Sequence, residues 1–398
     1  MIDFLMEAKA MQEVLVHYRR QLHRRAETGF GLKETCAYVI RTLEELGLKP
    51  SVCGKSGVVC TIGTGNRTFL LRADMDALPV TEETGLDFAS RNGCMHACGH
   101  DLHTAMLLGA AAILKRHEDA LSGCVKLMFQ PAEELLSGAQ DMIDHGVLQN
   151  PPVSAGAMVH VMTGVQIPTG TVIISAPGVS APAATLFEMH VQGRGGHGAS
   201  PDGCIDPINV AAHIILALQA IKARELPAQS GAMLTIGAVH GGDAPNVIAD
   251  SVSLGGSLRA YDEEEAARVL KRTEEIALLS SRTFGAEASL RVTGSTKTLK
   301  NDPAMVHLAQ RVLPEVLGAE NVLEAAEMGG KRSSGSEDFA AVSHEIPTVM
   351  LALAAGQPSD GYTHGLHHPC TRFDENALPF GTAALAGLAA SYLAETDA

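Results

Sequence analysis

The chain has 398 residues, with 30 Lys plus Arg against 45 Asp plus Glu and a formal charge of −15. The acidic balance excludes a nucleic-acid binder, which needs a basic face. A hydrophobic content of 46% excludes a disordered chain, and the length predicts two or three domains at roughly 100–200 residues each. No apolar run in the sequence approaches the ~20 residues needed to cross a bilayer. The acidic, amphipathic start (MIDFLMEAKAMQEVL) lacks the basic, apolar and small-residue segments of a signal peptide. A cytoplasmic location is therefore expected, with the eight Cys reduced.

In chain order, apolar spacing predicts a helix from the start through Leu22, then a second helix over 32–46 that stops at Gly47. Strands follow at 58–62 and 68–75, a helix at 104–117, a strand at 124–129, a helix at 137–145 and a strand at 157–162. This alternation implies an α/β fold with a mostly parallel sheet covered on both faces. Between 181 and 292 the texture changes to strand 185–192, helix 206–224, strand 234–239, strand 251–259, helix 263–284 and strand 288–292. That β-α-β-β-α-β order belongs to a small α+β sandwich. Asp206 before Pro207 reads as a helix cap. The α/β pattern then returns with helix 303–317, strand 348–352 and helix 377–393. The expectation is a catalytic domain formed by 1–180 and 293–398, interrupted by an inserted domain at 181–292.

The residues richest in chemistry sit beside predicted strand ends. Cys98 and His100 are two apart before the 104–117 helix, so an extended loop projects them the same way. Glu133 and Glu134 follow the strand that Pro131 ends; His160 lies on the next strand; His367 and His368 stand side by side near the end. Asp74 and Asp76 share a face at another strand end. Singly, each has a bland reading: a satisfied core histidine, a helix start favoured by the dipole, a solvated edge. Together they offer thiolate, imidazole and carboxylate to one crevice, because strand ends of an open α/β sheet converge.

Seven short segments also resemble the M20 peptidase clan, in the branch of aminoacylases, hippurate hydrolases and auxin-conjugate hydrolases. They are Arg72-Ala73-Asp74-Met75-Asp76-Ala77-Leu78-Pro79, Met95-His96-Ala97-Cys98-Gly99-His100-Asp101, Phe129-Gln130-Pro131-Ala132-Glu133-Glu134, Gly195-Gly196-His197-Gly198-Ala199, Ala244-Pro245-Asn246-Val247-Ile248, Gly335-Ser336-Glu337-Asp338-Phe339 and His367-His368-Pro369. The resemblance implies two divalent metal ions per subunit (Mn, Zn, Co or Ni). Cys98 would bridge them, His100 and His160 would complete one site, and Glu134 and His367 the other. It implies Glu133 as general base, Asp76 as the residue orienting a ligand, and His197 as a donor to the tetrahedral oxyanion, from its own subunit or from a partner. We expect Asn246 to hold the substrate backbone and Arg259 its carboxylate, with a surface ion pair as the other reading of Arg259. The inserted domain is expected to serve as lid and dimerisation surface, making a homodimer or a higher homo-oligomer.

The implied reaction is hydrolysis of an N-acyl amino acid to a carboxylic acid and a free amino acid. The alternatives are a dipeptidase or carboxypeptidase of the same clan, a non-catalytic binding protein, and a redox thiol protein using Cys94 and Cys98. The last is disfavoured by their spacing, which is not that of a thioredoxin-like pair. The sequence departs from the branch at Ala26, Thr28, Leu102 and Asp202, and we expect Leu102 and Asp202 to alter pocket shape or charge. With no Trp, ten Phe and five Tyr, small or aliphatic acyl groups are expected over an indole group.

Overall fold

The computed structural model describes residues 2–326 and 334–395. They form two compact units, one of 2–180, 300–326 and 338–395, the other of 181–299 and 334–337.

The first unit is built on an eight-stranded sheet. Its strand order is Ser51–Cys53, Gly57–Gly63, Cys124–Gln130, Thr68–Asp74, Ala155–Met162, Thr348–Ala354, Val172–Ile174 and Val322–Glu324. From Cys124–Gln130 to Thr348–Ala354 the neighbours run parallel. Gly57–Gly63 and Val172–Ile174 join that central block antiparallel. Every residue of Thr68–Asp74 and Cys124–Gln130 is buried, so both faces of the sheet are covered there. Helix His100–Arg116 is buried from His100 through Leu114 and shares one apolar core with helices Gln12–His23, Pro303–Leu317 and Leu378–Ala394.

The second unit carries an antiparallel four-stranded sheet in the order Met233–His240, Ser251–Ala260, Ala183–Gln192 and Glu287–Thr296. Helices Pro207–Ala220 and Glu263–Thr283 cover one face through Val210, Ile214, Leu218, Val269 and Ile276. Asp206 caps the first of these helices, accepting the N–H of Ile208 at 2.9 Å.

Three expectations need correction. The last strand of the second unit runs on to Thr296, past the expected end at 292, because its pairing with Ala183–Gln192 resumes after a register shift at Val292/Gly294. The sequence has an apolar run after all: Glu375–Ala394 spans 20 residues with a mean hydropathy of 1.4, yet its side chains are mostly spent on the core. The buried helix expected from residue 104 begins at His100. Leu102 is thereby fully buried in the apolar core of the first unit.

Candidate metal centre

The start of helix His100–Arg116 is set by Gly99, whose φ is +87°. A Cβ there would lie 2.3 Å from Val161 Cγ2, so only glycine fits the turn. Cys98 and His100 are thus placed by a tight turn into a helix rather than by an extended loop. Leu78 and Met95 exchange two backbone hydrogen bonds, at 3.0 and 2.9 Å, and fold the 76–98 excursion back over the strand ends. Asp101, next to His100, accepts Arg19 Nε at 3.0 Å and His23 Nδ1 at 2.9 Å, tying the helix start to Gln12–His23.

Around this turn the first unit gathers its donors. Cys98 Sγ lies 3.6 Å from His160 Nε2 and 3.4 Å from His367 Nε2. His367 Nε2 is 3.4 Å from Glu134 Oε1, and His100 Nε2 is 4.0 Å from both Glu134 Oε1 and Glu133 Oε2. Cys98, His100 and His160 form one compact group and Cys98, Glu134 and His367 another, sharing the sulfur. His368, beside His367 in the sequence, lies in neither of these two groups.

The donor orientations suit metal ions. His100 Nδ1 donates to the Asp76 carbonyl at 2.8 Å, and His160 Nδ1 to the Val161 carbonyl at 2.8 Å. Each ring thereby aims its Nε2 at the neighbouring donors, His160 toward Cys98 and His100 toward Glu134. His100 Nε2 is buried with no hydrogen-bond partner among the described residues, and buried Glu134 Oε1 faces His367 Nε2 at a long 3.4 Å. Unpaired buried polar atoms cost about 1–3 kcal/mol each, and cations bound by these atoms would remove that cost. Thiolate, imidazole and carboxylate together suit borderline transition metals. The residues present thus fit a pair of divalent cations.

Carboxylates and one further histidine hold the donors in place. Asp76 Oδ1 and Oδ2 accept the backbone N–H groups of Glu133 and Glu134 at 3.0 and 3.2 Å. That segment is bracketed by Ala132 and Leu136, both with φ of 53°, a left-handed conformation costly for residues other than glycine. Asp74 accepts Arg72 Nη1 at 2.7 Å and His103 Nδ1 at 2.6 Å. His103 Nε2 in turn accepts the Val161 N–H at 2.8 Å, fixing the backbone beside His160. Asp338 ties two strand ends together, accepting Arg72 Nη2 at 3.1 Å and Gln130 Nε2 at 2.5 Å. His103, Arg72 and Asp338 had no assigned role in the sequence reading. For His103 the usable signal was its three-residue spacing from His100, visible once the helix is begun at Gly99.

Electrostatics follow from this packing. Burial opposes ionisation of Cys98, but His100 and His160 outweigh it and hold the thiol down at about 6. Hydrogen bonds to Cys98 and Glu134 push His367 up to about 10. Burial opposes the charge on His100, yet Asp74 and Cys98 hold its pKa well above the usual imidazole range. Burial pushes Asp76 up. In the metal-free chain, imidazolium protons thus occupy the place that cations would take.

The other expected residues belong to the second unit. His197 pairs with Val247 on a two-stranded ribbon, and the Gly198 N–H donates to the Asn246 carbonyl at 2.9 Å, so His197 and Asn246 are brought together. Both are exposed. Arg259, on Ser251–Ala260, donates through Nη1 to Ser336 Oγ at 3.0 Å and to the Ser334 carbonyl at 3.2 Å.

Known proteins resemble this chain along most of its length. Residues 70–391 match the family described as peptidase family M20/M25/M40. IAA-amino acid hydrolase ILR1-like 2 of Arabidopsis thaliana is 37% identical over 388 residues, 96% of this chain and 85% of that protein. N-acetyl-L-cysteine deacetylase of Bacillus subtilis is 35% identical over 373 residues, 92% of this chain and 85% of that protein. A solved Bacillus subtilis structure described as a dinuclear metal binding peptidase from the M20 family is 31% identical, with a TM-score of 0.75 over 97% of this chain and 99% of that one. With so much of its length matched, this chain belongs to peptidase family M20/M25/M40.

Proposed function

We infer that this chain is a metal-dependent amidohydrolase that cleaves the amide bond of N-acyl amino acids, releasing a carboxylic acid and a free amino acid. The observation that carries the reading is the convergence of Cys98, His100, His160, Glu134 and His367 on one sulfur-centred cluster, with Glu133 beside it. Relatives named as an amino acid hydrolase and a deacetylase support the substrate class.

In this reading Cys98, His100, His160, Glu134 and His367 would hold two divalent cations (Mn, Zn, Co or Ni), His100 and His160 serving one, Glu134 and His367 the other, and Cys98 both. When bound, the cations acidify the attacking water and stabilise charge developing on the amide oxygen. Glu133, 5% exposed, takes the proton from that water and passes it to the leaving amine. Asp76 holds the Glu133–Glu134 backbone and His100 at once, so it fixes base and ligands relative to each other. His197 is assigned the oxyanion, Asn246 the substrate backbone and Arg259 the substrate carboxylate, on the resemblance of their segments. Arg259 would have to share its guanidinium with Ser336 to do so. A homodimer in the cytoplasm, with 181–292 as lid and dimerisation surface, completes the proposal.

A relative named thermostable carboxypeptidase 1 in Saccharolobus solfataricus, 31% identical over 394 residues, keeps peptide hydrolysis as the second reading. One assay separates the two. Metal-free protein is reloaded with Mn, Zn, Co or Ni and offered N-acetyl amino acids and free dipeptides in parallel. Turnover of the acylated substrates, lost with chelator, is expected; preferential dipeptide hydrolysis would reverse the assignment.

A further inference from the structure

A pocket of about 290 Å³ lies in the first unit between helix Gln12–His23, the segment around Phe88 and the 362–376 stretch. None of Cys98, His100, His160, Glu133, Glu134 or His367 lines it. Its size is at the small end of the roughly 300–1,000 Å³ of ligand pockets, which suits a single amino acid rather than a peptide. Leu86, Phe88, Tyr362 and Phe373 give it apolar walls. Arg19, Arg20 and Arg372, with Asp374 and Glu375, give it charge of both signs.

Most of that charge is already paired. Glu375 Oε1 accepts Arg19 Nη1 and Arg20 Nε, both at 3.0 Å, and Glu375 Oε2 accepts Arg20 Nη2 at 2.7 Å. Asp101 also holds Arg19, Asp87 attracts Arg20, and the Phe88 ring packs against both guanidiniums, 5.1 and 4.7 Å from its centroid. Arg372 and Asp374 are left over. Arg372 donates through Nη2 to the Gly361 carbonyl at 3.1 Å and lies over the Tyr362 ring, while Asp374 Oδ1 accepts the Asn376 N–H at 3.0 Å. Arg372 Nε and Nη1 and Asp374 Oδ2 have no hydrogen-bond or ion-pair partner among the described residues. Their backbone is anchored, because the Arg372 carbonyl accepts Thr163 Oγ1 at 3.0 Å and the Asp374 N–H donates to the Ala355 carbonyl at 2.8 Å. A guanidinium and a carboxylate with spare capacity thus line one pocket from fixed positions two residues apart.

We propose that this pocket binds a free α-amino acid with an apolar side chain, its carboxylate on Arg372, its ammonium on Asp374 and its side chain among Phe88, Tyr362 and Phe373. A guanidinium edge matches a carboxylate bidentately, and a carboxylate matches an ammonium. A ligand carrying both charges answers both spare groups at once. A simple carboxylic acid would leave Asp374 without a partner, and a simple amine would leave Arg372 without one. The pocket backs onto the turn that carries Cys98 and His100. Arg19 is bonded to Asp101, next to His100, and a Cβ on Gly99 would meet Phe373 Cζ at 3.1 Å. The proposal stands independently of the amidohydrolase reading, since the lining alone sets the ligand class.

The chain has no Trp, so Leu86→Trp places a single indole on the wall of the pocket as a local reporter. Titrating the metal-loaded full chain carrying this substitution with L-leucine should give a saturable fluorescence change. The analogues 4-methylpentanoate, which lacks the ammonium, and 3-methylbutylamine, which lacks the carboxylate, should bind at least about tenfold more weakly. Adding Arg372→Gln or Asp374→Asn should weaken L-leucine by a similar factor, and Asn keeps the cap on the Asn376 N–H. Both variants should keep the parent's metal content and turnover, which reports that they fold. Failure of both L-leucine and L-phenylalanine to bind the unmodified chain in titration calorimetry overturns the proposal. Calorimetric binding without a reporter response overturns it too, because the ligand would then sit elsewhere. Either analogue binding as tightly as L-leucine, or affinity unchanged in Arg372→Gln, has the same consequence.

Discussion

The two units solve the same packing problem differently. In the first, Thr68–Asp74 is buried along its whole length, so polar side chains at its end leave water entirely. In the second, Ala183–Gln192 alternates toward its end, with Met189 and Val191 inside and Glu188, His190 and Gln192 outside. Buried polar groups must find partners or pay a large desolvation cost. That is why the donor cluster of the first unit is threaded through with Asp74, Asp76, His103 and Arg72, whereas His197 and Asn246 in the second stand exposed on a short ribbon. The difference assigns separate jobs: residues of the first unit should govern metal content, and residues of the second should govern turnover alone.

The most severe break is Cys98→Ala. It removes the sulfur shared by both donor groups, so elemental analysis should find at least one metal equivalent gone and activity nearly abolished. Unchanged stoichiometry would exclude Cys98 as a ligand. Glu133→Gln sharpens the division inside the first unit. It should retain both metals and lose about 10²–10⁴-fold in kcat, and near-normal turnover would remove the general-base role. His197→Ala tests the second unit. Its metal content should match the parent while kcat falls by about 10²-fold, the scale of one lost oxyanion donor. Lost metal in that variant would erase the distinction between the units. If His197 acts across a dimer, mixing His197→Ala with Glu133→Gln protein should restore activity; no recovery despite proven subunit exchange places it in its own subunit or outside the mechanism.

Much of this was legible in the sequence because its signals are local. Helix Pro303–Leu317 starts at a capped Pro and ends at Gly318, and both marks are punctuation readable without a fold. The Glu133–Glu134 pair and the Cys98/His100 spacing are also local. What escaped depends on contacts between distant segments. The helix start at His100 depends on Gly99 fitting beneath Val161, which no window around residue 99 reveals. His103 reads as one more core residue of a buried helix until Asp74 and Val161 are seen on either side of its ring. The short strands Val172–Ile174 and Val322–Glu324 have too few residues for a period and exist because the first pairs with Thr348–Ala354 and the second with the first. Arg72 was quoted only as part of a motif, and its role appears once Gln130 and Asp338 converge on its guanidinium.

The smallest effect probes how the first unit tolerates buried imidazole. Burial holds His103 down at about 4, outweighing the attraction of Asp74. The geometry gives the same answer, since both ring nitrogens are committed: Nδ1 donates to Asp74 and Nε2 accepts from Val161, leaving no room for a second proton. In the unfolded chain the same imidazole titrates near ~6.5. Its folded value is depressed, so its contribution to stability is complete above that pH and declines as pH falls toward about 4. Across that window the unfolded state holds the extra proton, and the loss is about 1.4 kcal/mol per pH unit. Urea unfolding of metal-free protein at pH 6.5 and 5.0 should therefore show a steeper decline for the parent than for His103→Gln, whose amide does not titrate. Parallel slopes would mean that His103 is protonated in the folded chain, and the clamp on the His160 backbone would then need a different donor and acceptor arrangement.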